Sequence, residues 1–275
     1  MMIKPSLGLM LSMALLSACA DATVFVWTDS QGGRHYSDQP QLNATQLHVE
    51  PDTTYYRVHK VVDGDTVQLD NGLKVRLLGV NSPEVAGRFK QAEAGGDVAK
   101  HWLTQRLQGL RVSLEQDAEA QDRYQRRLAY LLDEQHNNIN IELVRNGLAT
   151  VNVYPPNFKY LEALVAAQQQ AEQEHKGLWG NPAYAAKSYQ ALTVDNYHGW
   201  QRIRGRITAV RHGRKHDYLQ FSDTIAIQVP EACWQWFPDL STYIGRTVEA
   251  RGWVRKNRQH LHLTVRHPSA LLLVD

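Results

Sequence analysis

Three short stretches of this chain carry residue types that together can handle a phosphate ester. They are Asp63-Gly64-Asp65-Thr66, the run from Arg76 through Leu77-Leu78-Gly79-Val80-Asn81-Ser82-Pro83 to Glu84, and the run from Asp122-Arg123-Tyr124-Gln125-Arg126 to Tyr130. The first offers carboxylate oxygens of the kind that hard cations take. Arg76 and Arg126 each offer a planar fork for phosphoryl oxygens. Glu84 adds a separate carboxylate suited to hold or deprotonate a water. A cation, guanidinium charge and a positioned water are the parts that phosphodiester cleavage needs. Each part also has a plainer reading. Asp-Gly-Asp-Thr is by itself an ordinary turn sequence, and the two arginines could be structural ion-pair partners of Glu115, Asp117 or Asp122. Arg127, next to Arg126, points to the other face of a strand. The chain contains no Gly-x-Ser-x-Gly, His-Glu-x-x-His or Gly-x-x-x-x-Gly-Lys motif.

These stretches are far apart in sequence, so a scaffold must gather them. Strand-like runs at Val58 to Val62 and Thr66 to Leu69 flank Asp63-Gly64-Asp65, and Asp70-Asn71-Gly72 gives a tight hairpin signal before Leu73 to Val80. A helix is predicted over Asp97 to Leu107 after Gly95-Gly96, then strands at Arg111 to Glu115 and Arg127 to Leu132. A second helix covers Asn140 to Asn146 with Gly147 as its stop, and a third runs from Tyr160 to His175. Twisting hairpins with one interposed and two later helices predict a five-stranded barrel of the oligonucleotide-binding type, capped by helices. Residues 181–197 have no clear period and read as a linker. Strands recur at Trp200 to Val210, Tyr218 to Phe221, Ile225 to Val229, Thr247 to Val254 and His260 to Val265, with a helical turn opening at Phe237. They predict a second small barrel of the same type over residues 198–275. The fold class is mainly β with α.

The order and spacing of the three stretches resemble the staphylococcal-type thermonuclease family over residues 55–180. The resemblance implies a divalent cation, Ca2+ with Mg2+ as an alternative, ligated by Asp65, by the residue at Asn81 and by the main-chain carbonyl of Ser82. The family usually has aspartate where Asn81 stands, and an amide in its place removes a negative charge from the site. Asp63 would stand behind Asp65 or cap its turn. Arg76 and Arg126 would hold the scissile phosphate, and Glu84 would contact the attacking water. Arg123 and Tyr124 match positions that hold the substrate's terminal phosphate, and Tyr154 matches a base-stacking tyrosine. A companion tyrosine is replaced by Asn152, which implies weaker base stacking. The implied substrate is DNA, RNA or both, cut with little sequence preference to leave 3′-phosphate ends. A non-catalytic nucleic-acid-binding protein and an envelope scaffold are the competing readings, and Asn81 is the departure that keeps the first of them open.

Charge is spread unevenly. Residues 55–180 are close to neutral, whereas residues 196–267 hold 12 basic residues against 5 acidic ones, net +7, together with six histidines. A basic C-terminal third points to an anionic partner. The histidines at 212, 216, 260, 262 and 267 are scattered among arginines and read as surface residues rather than a metal site. His260 and His262 share a strand face and, with Trp253, could line a nucleic-acid surface.

The N-terminus reads as an export signal, with Lys4 before an apolar run from Leu7 to Leu16 that is too short for a mature membrane span. Leu16-Ser17-Ala18-Cys19 looks like a bacterial lipoprotein cleavage site, which would place a lipid anchor on Cys19 after removal of residues 1–19. Plain small-residue cleavage, giving a secreted protein, is the alternative. The expected location is the cell envelope, on the periplasmic side or at the outer membrane, or outside the cell. With Cys19 lipidated, Cys233 is the only other cysteine, so no internal disulfide can form. Residues 20–54 read as a small β domain around Gly32-Gly33. The pattern from Trp27 to Asp38 is similar to a small uncharacterised domain found near the start of bacterial envelope proteins.

Overall fold

The structure, a computed structural model, describes residues 24–47, 53–87 and 92–274. The segment expected to be an export signal, with Cys19, lies outside the described residues. Two units are separately compact, one ending at Thr53 and the other running from Thr54 onward.

The first unit is a three-stranded antiparallel sheet of β1 (Val24–Thr28), β2 (Arg34–Ser37) and β3 (Thr45–Leu47), with β1 in the middle. Asp29 organises its turn: Oδ1 accepts the main-chain N–H groups of Gln31 and Gly33, and Oδ2 lies 2.7 Å from His35 Nε2. The Asp29–His35 pair is therefore a turn cap of the kind expected for these side chains.

The second unit begins with a closed five-stranded barrel in the order β4-β5-β6-β9-β8. Its strands are β4 (Tyr55–Asp63), β5 (Thr66–Leu69), β6 (Lys74–Leu77), β8 (Arg111–Glu115) and β9 (Arg127–Leu132), and a short β7 (Val80–Asn81) follows β6. Register shifts in β4 between Val58 and Lys60 and between Val61 and Asp63 let one strand bend to pair with both β5 and β8. Inside lie Val67, Leu69, Val75, Leu77, Val112, Ala129 and Leu131. Helix α1 (Gly96–Leu107) buries Ala99, Leu103 and Leu107, a four-residue spacing that keeps one face on the core. Helix α2 (Ile139–Arg145) is capped by the Asn138 side chain, which accepts from Ile141 N. The short β10 (Thr150–Val151) pairs with β7, and α3 (Leu161–Gln173) completes the cap.

Residues 181–197, expected as a linker, are instead built into the fold. They form short three-ten turns at Pro182–Tyr184 and Tyr189–Ala191 around β11 (Lys187–Ser188), which pairs parallel with Ile203 and Arg204. The Tyr184 hydroxyl donates to the carbonyl of Ala94 at 3.1 Å. The remaining strands are β12 (Trp200–Arg206), β13 (Ala209–Arg211), β14 (His216–Gln220), β15 (Ile225–Pro230), β16 (Thr247–Asn257), β17 (His260–Thr264) and β18 (Leu271–Leu273). They form one sheet in the order β11-β12-β16-β17-β15-β14-β13, with β18 on β16. The run expected as a single strand from Trp200 is broken at residues 207–208. Ile207 N bonds back to Arg246 O while Thr208 N bonds to Gln220 O, so the sheet curls around its own core of Ile203, Leu219, Ile227, Val248 and Leu263. Cys233 is buried there, and burial pushes its thiol up.

Candidate active site

Asp65 ends the β4–β5 turn and is 5% exposed. The Asp63 carboxylate accepts the Asp65 N–H at 3.1 Å, which fixes the turn. Gly64 is required between them, because a Cβ there would lie 2.7 Å from Ser82 Cβ and Oγ and from Ala99 Cβ. This close approach brings the turn against the segment after β7. Asp65 Oδ2 accepts Ser82 N at 2.9 Å and pairs with Arg76 Nη2 at 2.9 Å, while Oδ1 accepts the Thr66 hydroxyl at 3.1 Å. Arg76 Nη2 is also 3.3 Å from Asn81 Oδ1, and Asn81 Nδ2 donates to the Ser82 carbonyl at 3.0 Å. Asp65, Arg76, Asn81 and Ser82 thus form one hydrogen-bonded cluster. Burial pushes the Asp65 carboxyl up, to about 6, against the opposing pull of the Arg76 guanidinium.

Arg126 lies just before β9. In the parallel β6–β9 register Arg76 stands opposite Leu128 and Val75 opposite Arg127. Arg126, two residues before Leu128, therefore belongs to the Arg76 side of the sheet, and Arg127 belongs with buried Val75. Arg126 Nε donates to Asp122 Oδ2 at 2.8 Å, and Asp122 Oδ1 accepts the Arg126 and Tyr124 N–H groups. Burial pushes the Asp122 carboxyl up, but these bonds override it and hold it below the usual carboxylate range. The ion-pair alternative raised for Arg126 is thus present through Nε, while among the described residues its two terminal nitrogens carry no hydrogen bond. Both Arg123 and Arg126 lie over the exposed Tyr124 ring, at 4.8 and 5.6 Å. Arg123 Nη2 also donates to the Tyr124 hydroxyl.

Glu84 is two residues beyond Ser82. Its main-chain N–H donates to the Glu93 carboxylate at 3.0 Å, and Glu93 N returns a bond to the Glu84 carbonyl at 2.9 Å. A Cβ at Gly96 would lie 2.4 Å from that carbonyl, so the glycine pair opening α1 also admits the Glu84 segment. Tyr154 is 47% exposed. Its loop begins where Asn152 N bonds to Gly79 O, and it is tied to the Arg126 loop by buried Asn157, whose Oδ1 accepts Glu119 N at 2.8 Å. Lys159 N adds a bond to Asp117 Oδ2.

Sequence reasoning missed three supports. Glu93 and Asn157 act through main-chain N–H groups that no pattern reveals. Arg266 comes from the C-terminal sheet, and its guanidinium lies 4.6 Å over the Tyr154 ring.

The fit to a divalent cation can be judged from the donors. Asp65, Asn81 and Ser82 offer only hard oxygens, and their mutual bonds place them together. The Arg76 guanidinium, itself a cation, bridges Asp65 and Asn81, and the Ser82 carbonyl accepts from Asn81 Nδ2. Among the described residues no three His, Cys, Asp or Glu side chains converge on one point. The candidate set therefore has a single carboxylate.

A closed five-stranded barrel with a buried carboxylate, two guanidinium groups on the same side of adjoining strands and exposed tyrosines nearby in the chain fits a phosphodiester-cleaving protein on an oligonucleotide-binding-type barrel. Comparison with known proteins agrees. The family described as "Staphylococcal nuclease homologue" matches residues 74–181, a stretch that includes Arg76, Glu84, Arg126 and Tyr154 and begins after Asp65. A thermonuclease of Staphylococcus intermedius is 37% identical over 129 residues, 45% of this chain and 75% of that protein. An uncharacterized protein of Methanocaldococcus jannaschii is 33% identical over 196 residues, 62% of this chain and 93% of that one. Endonuclease YhcR of Bacillus subtilis is 31% identical over 137 residues, 11% of its own length. The chain belongs to the staphylococcal nuclease family and is a nuclease, a phosphodiester hydrolase. Residues 11–57 match a domain of unknown function (DUF4124).

Proposed function

We propose that this nuclease hydrolyses DNA, RNA or both in a divalent-cation-dependent reaction with little sequence preference, leaving 3′-phosphate ends. The carrying observation is the hydrogen-bonded cluster of Asp65, Arg76, Asn81 and Ser82 beside the strand that leads from Arg126. Asp65, Asn81 and the Ser82 carbonyl would hold the cation, Ca2+ in the first instance and Mg2+ as the alternative. When bound, the cation polarises a phosphoryl oxygen and holds the carboxylate ionised. The Arg76 fork and the terminal nitrogens of Arg126 would take up charge on the phosphoryl oxygens. Glu84 positions the attacking water or takes its proton. Arg123 and Tyr124 hold the terminal phosphate, and Tyr154 stacks a base. The protein acts in the bacterial cell envelope, anchored through lipid on Cys19, or is secreted.

The test is degradation of plasmid DNA and of RNA with Ca2+, with Mg2+ and with excess chelator, followed by end analysis of the products. Cutting restricted to the metal-containing reactions, with 3′-phosphate ends, is expected. Undiminished cutting in chelator overturns the cation role, and 5′-phosphate ends overturn the proposed product.

A further inference from the structure

We propose that the outward face of β17 is a binding track for single-stranded nucleic acid, leading from the far side of the C-terminal sheet to Tyr154. The inference rests on the reading of Tyr154 as a base-stacking residue. Alternation along the chain sets the geometry. Leu261, Leu263 and Val265 are buried, and His260, His262, Thr264 and Arg266 occupy the other side. The alternation continues past the end of β17 because Val265 N bonds to Gln228 O. At the near end of the row, Arg266 lies 4.6 Å over Tyr154.

At the far end the face becomes an aromatic and cationic platform. The His260 and His262 rings are 6.1 Å apart and nearly parallel, at 22°. The Tyr218 ring is 5.1 Å from His262, and Arg211 lies 4.5 Å over Tyr218. On the next strand Arg255 stands opposite His262 in the β16–β17 register. No aspartate or glutamate occupies an outward position of β13, β14, β15 or β17; Asp217 alternates with the outward His216 and Tyr218, is buried, and pairs with His212 Nδ1 at 2.9 Å at the edge of the sheet.

Flat rings beside guanidinium groups, with no carboxylate among them, suit bases that are not buried in a duplex, together with the phosphates that join them. A double helix offers stacked, paired bases that such rings cannot reach. The chemistry therefore selects a single strand.

The experiment is binding of a fluorescent oligothymidylate of about twenty nucleotides to the full chain in chelator, read by anisotropy, beside cleavage of a short oligonucleotide that reaches only the nuclease barrel. Tyr218→Ala with His262→Ala should weaken binding of the long strand about tenfold, within the range that loss of stacked bases gives. Arg266→Ala should weaken it further and flatten its salt dependence. Arg111→Ala, which removes a surface cation paired with Glu134 on the nuclease barrel, should leave affinity unchanged. Unaltered affinity in the Tyr218/His262 double variant with a native unfolding transition, or equal preference for duplex and single strand, overturns the track. A wild-type protein that binds the strand but fails to cleave the short oligonucleotide with Ca2+ overturns the proposed function and leaves the track standing.

Discussion

Asp65 is a buried carboxylate whose ordinary charge is costly at that depth. Desolvation raises its pKa, and the nearby Asp63 carboxylate adds to the rise, while Arg76 and the Ser82 N–H oppose it. A site built this way needs positive charge, and Asn81 supplies none of the negative charge that would help recruit it. Asn81→Asp should accordingly tighten Ca2+ binding about tenfold, since affinity at oxygen sites follows ligand charge; calorimetric titration would show it. An unchanged dissociation constant would remove Asn81 from the ligand set. The residue types of this cluster were legible because three short motifs lie in a set order. The contacts that support them were not, because Glu93 and Asn157 bond to main-chain N–H groups and Arg266 lies over the Tyr154 ring, and none of these leaves a periodic trace.

Elements were read from the sequence with small errors at their ends. The predicted helix over Asp97 to Leu107 begins one residue earlier, at Gly96, and strands β8 and β9 have their expected bounds. Hydrophobic alternation and glycine punctuation are local signals, so these elements were accessible. The segment 181–197 has no local period because its bonds run to distant partners, the Tyr184 hydroxyl reaching the Ala94 carbonyl and the main chain of β11 reaching β12. A similar long-range constraint makes Gly64 critical. Gly64→Ala places a methyl group against Ser82 and Ala99. It should destabilise the protein by about 1–3 kcal/mol, as overpacking does, and lower cleavage disproportionately, since the Asp65 turn must move. Chemical denaturation and initial rates on the same preparation separate the two effects. A variant of native stability with full activity would show that the turn tolerates displacement.

In the whole molecule, the net positive charge of the C-terminal third is partly consumed in building the structure. Glu249, 1% exposed at its side chain, accepts Arg202 Nε at 2.8 Å, Arg251 Nε at 2.8 Å and Arg204 Nε at 2.6 Å. Glu172 on α3 pairs with Arg251 at 2.6 Å and Arg202 at 3.4 Å, so the network joins the nuclease helices to the C-terminal sheet. Both Arg202 and Arg251 also lie over the Trp179 ring. Counting charges in the sequence could not separate these structural arginines from Arg211, Arg255 and Arg266. Glu249→Ala leaves Arg202 and the buried Arg251 with Glu172 as their remaining carboxylate and should cost about 3 kcal/mol, the low end for breaking a buried pair, measurable by thermal unfolding. Burial pushes the Glu249 carboxyl up, but the three arginines override it and hold it at about 2, below its ordinary 4.5. Its contribution is therefore complete above pH 4.5 and is lost as pH falls toward 2. Between those values the wild type should lose stability more steeply than Glu249→Gln; parallel slopes would mean that the network does not carry this charge.

In the proposed reaction the Arg76 guanidinium on β6 and the Arg126 guanidinium, one residue before the adjoining β9, stabilise the phosphoryl charge. The most direct measurement is the cleavage rate of one defined oligonucleotide at saturating Ca2+ by the wild type and by Arg126→Ala. A loss of about a thousandfold in kcat is expected for Arg126→Ala, the scale on which transition-state arginines act, with the unfolding midpoint little changed. Full activity in Arg126→Ala would contradict it.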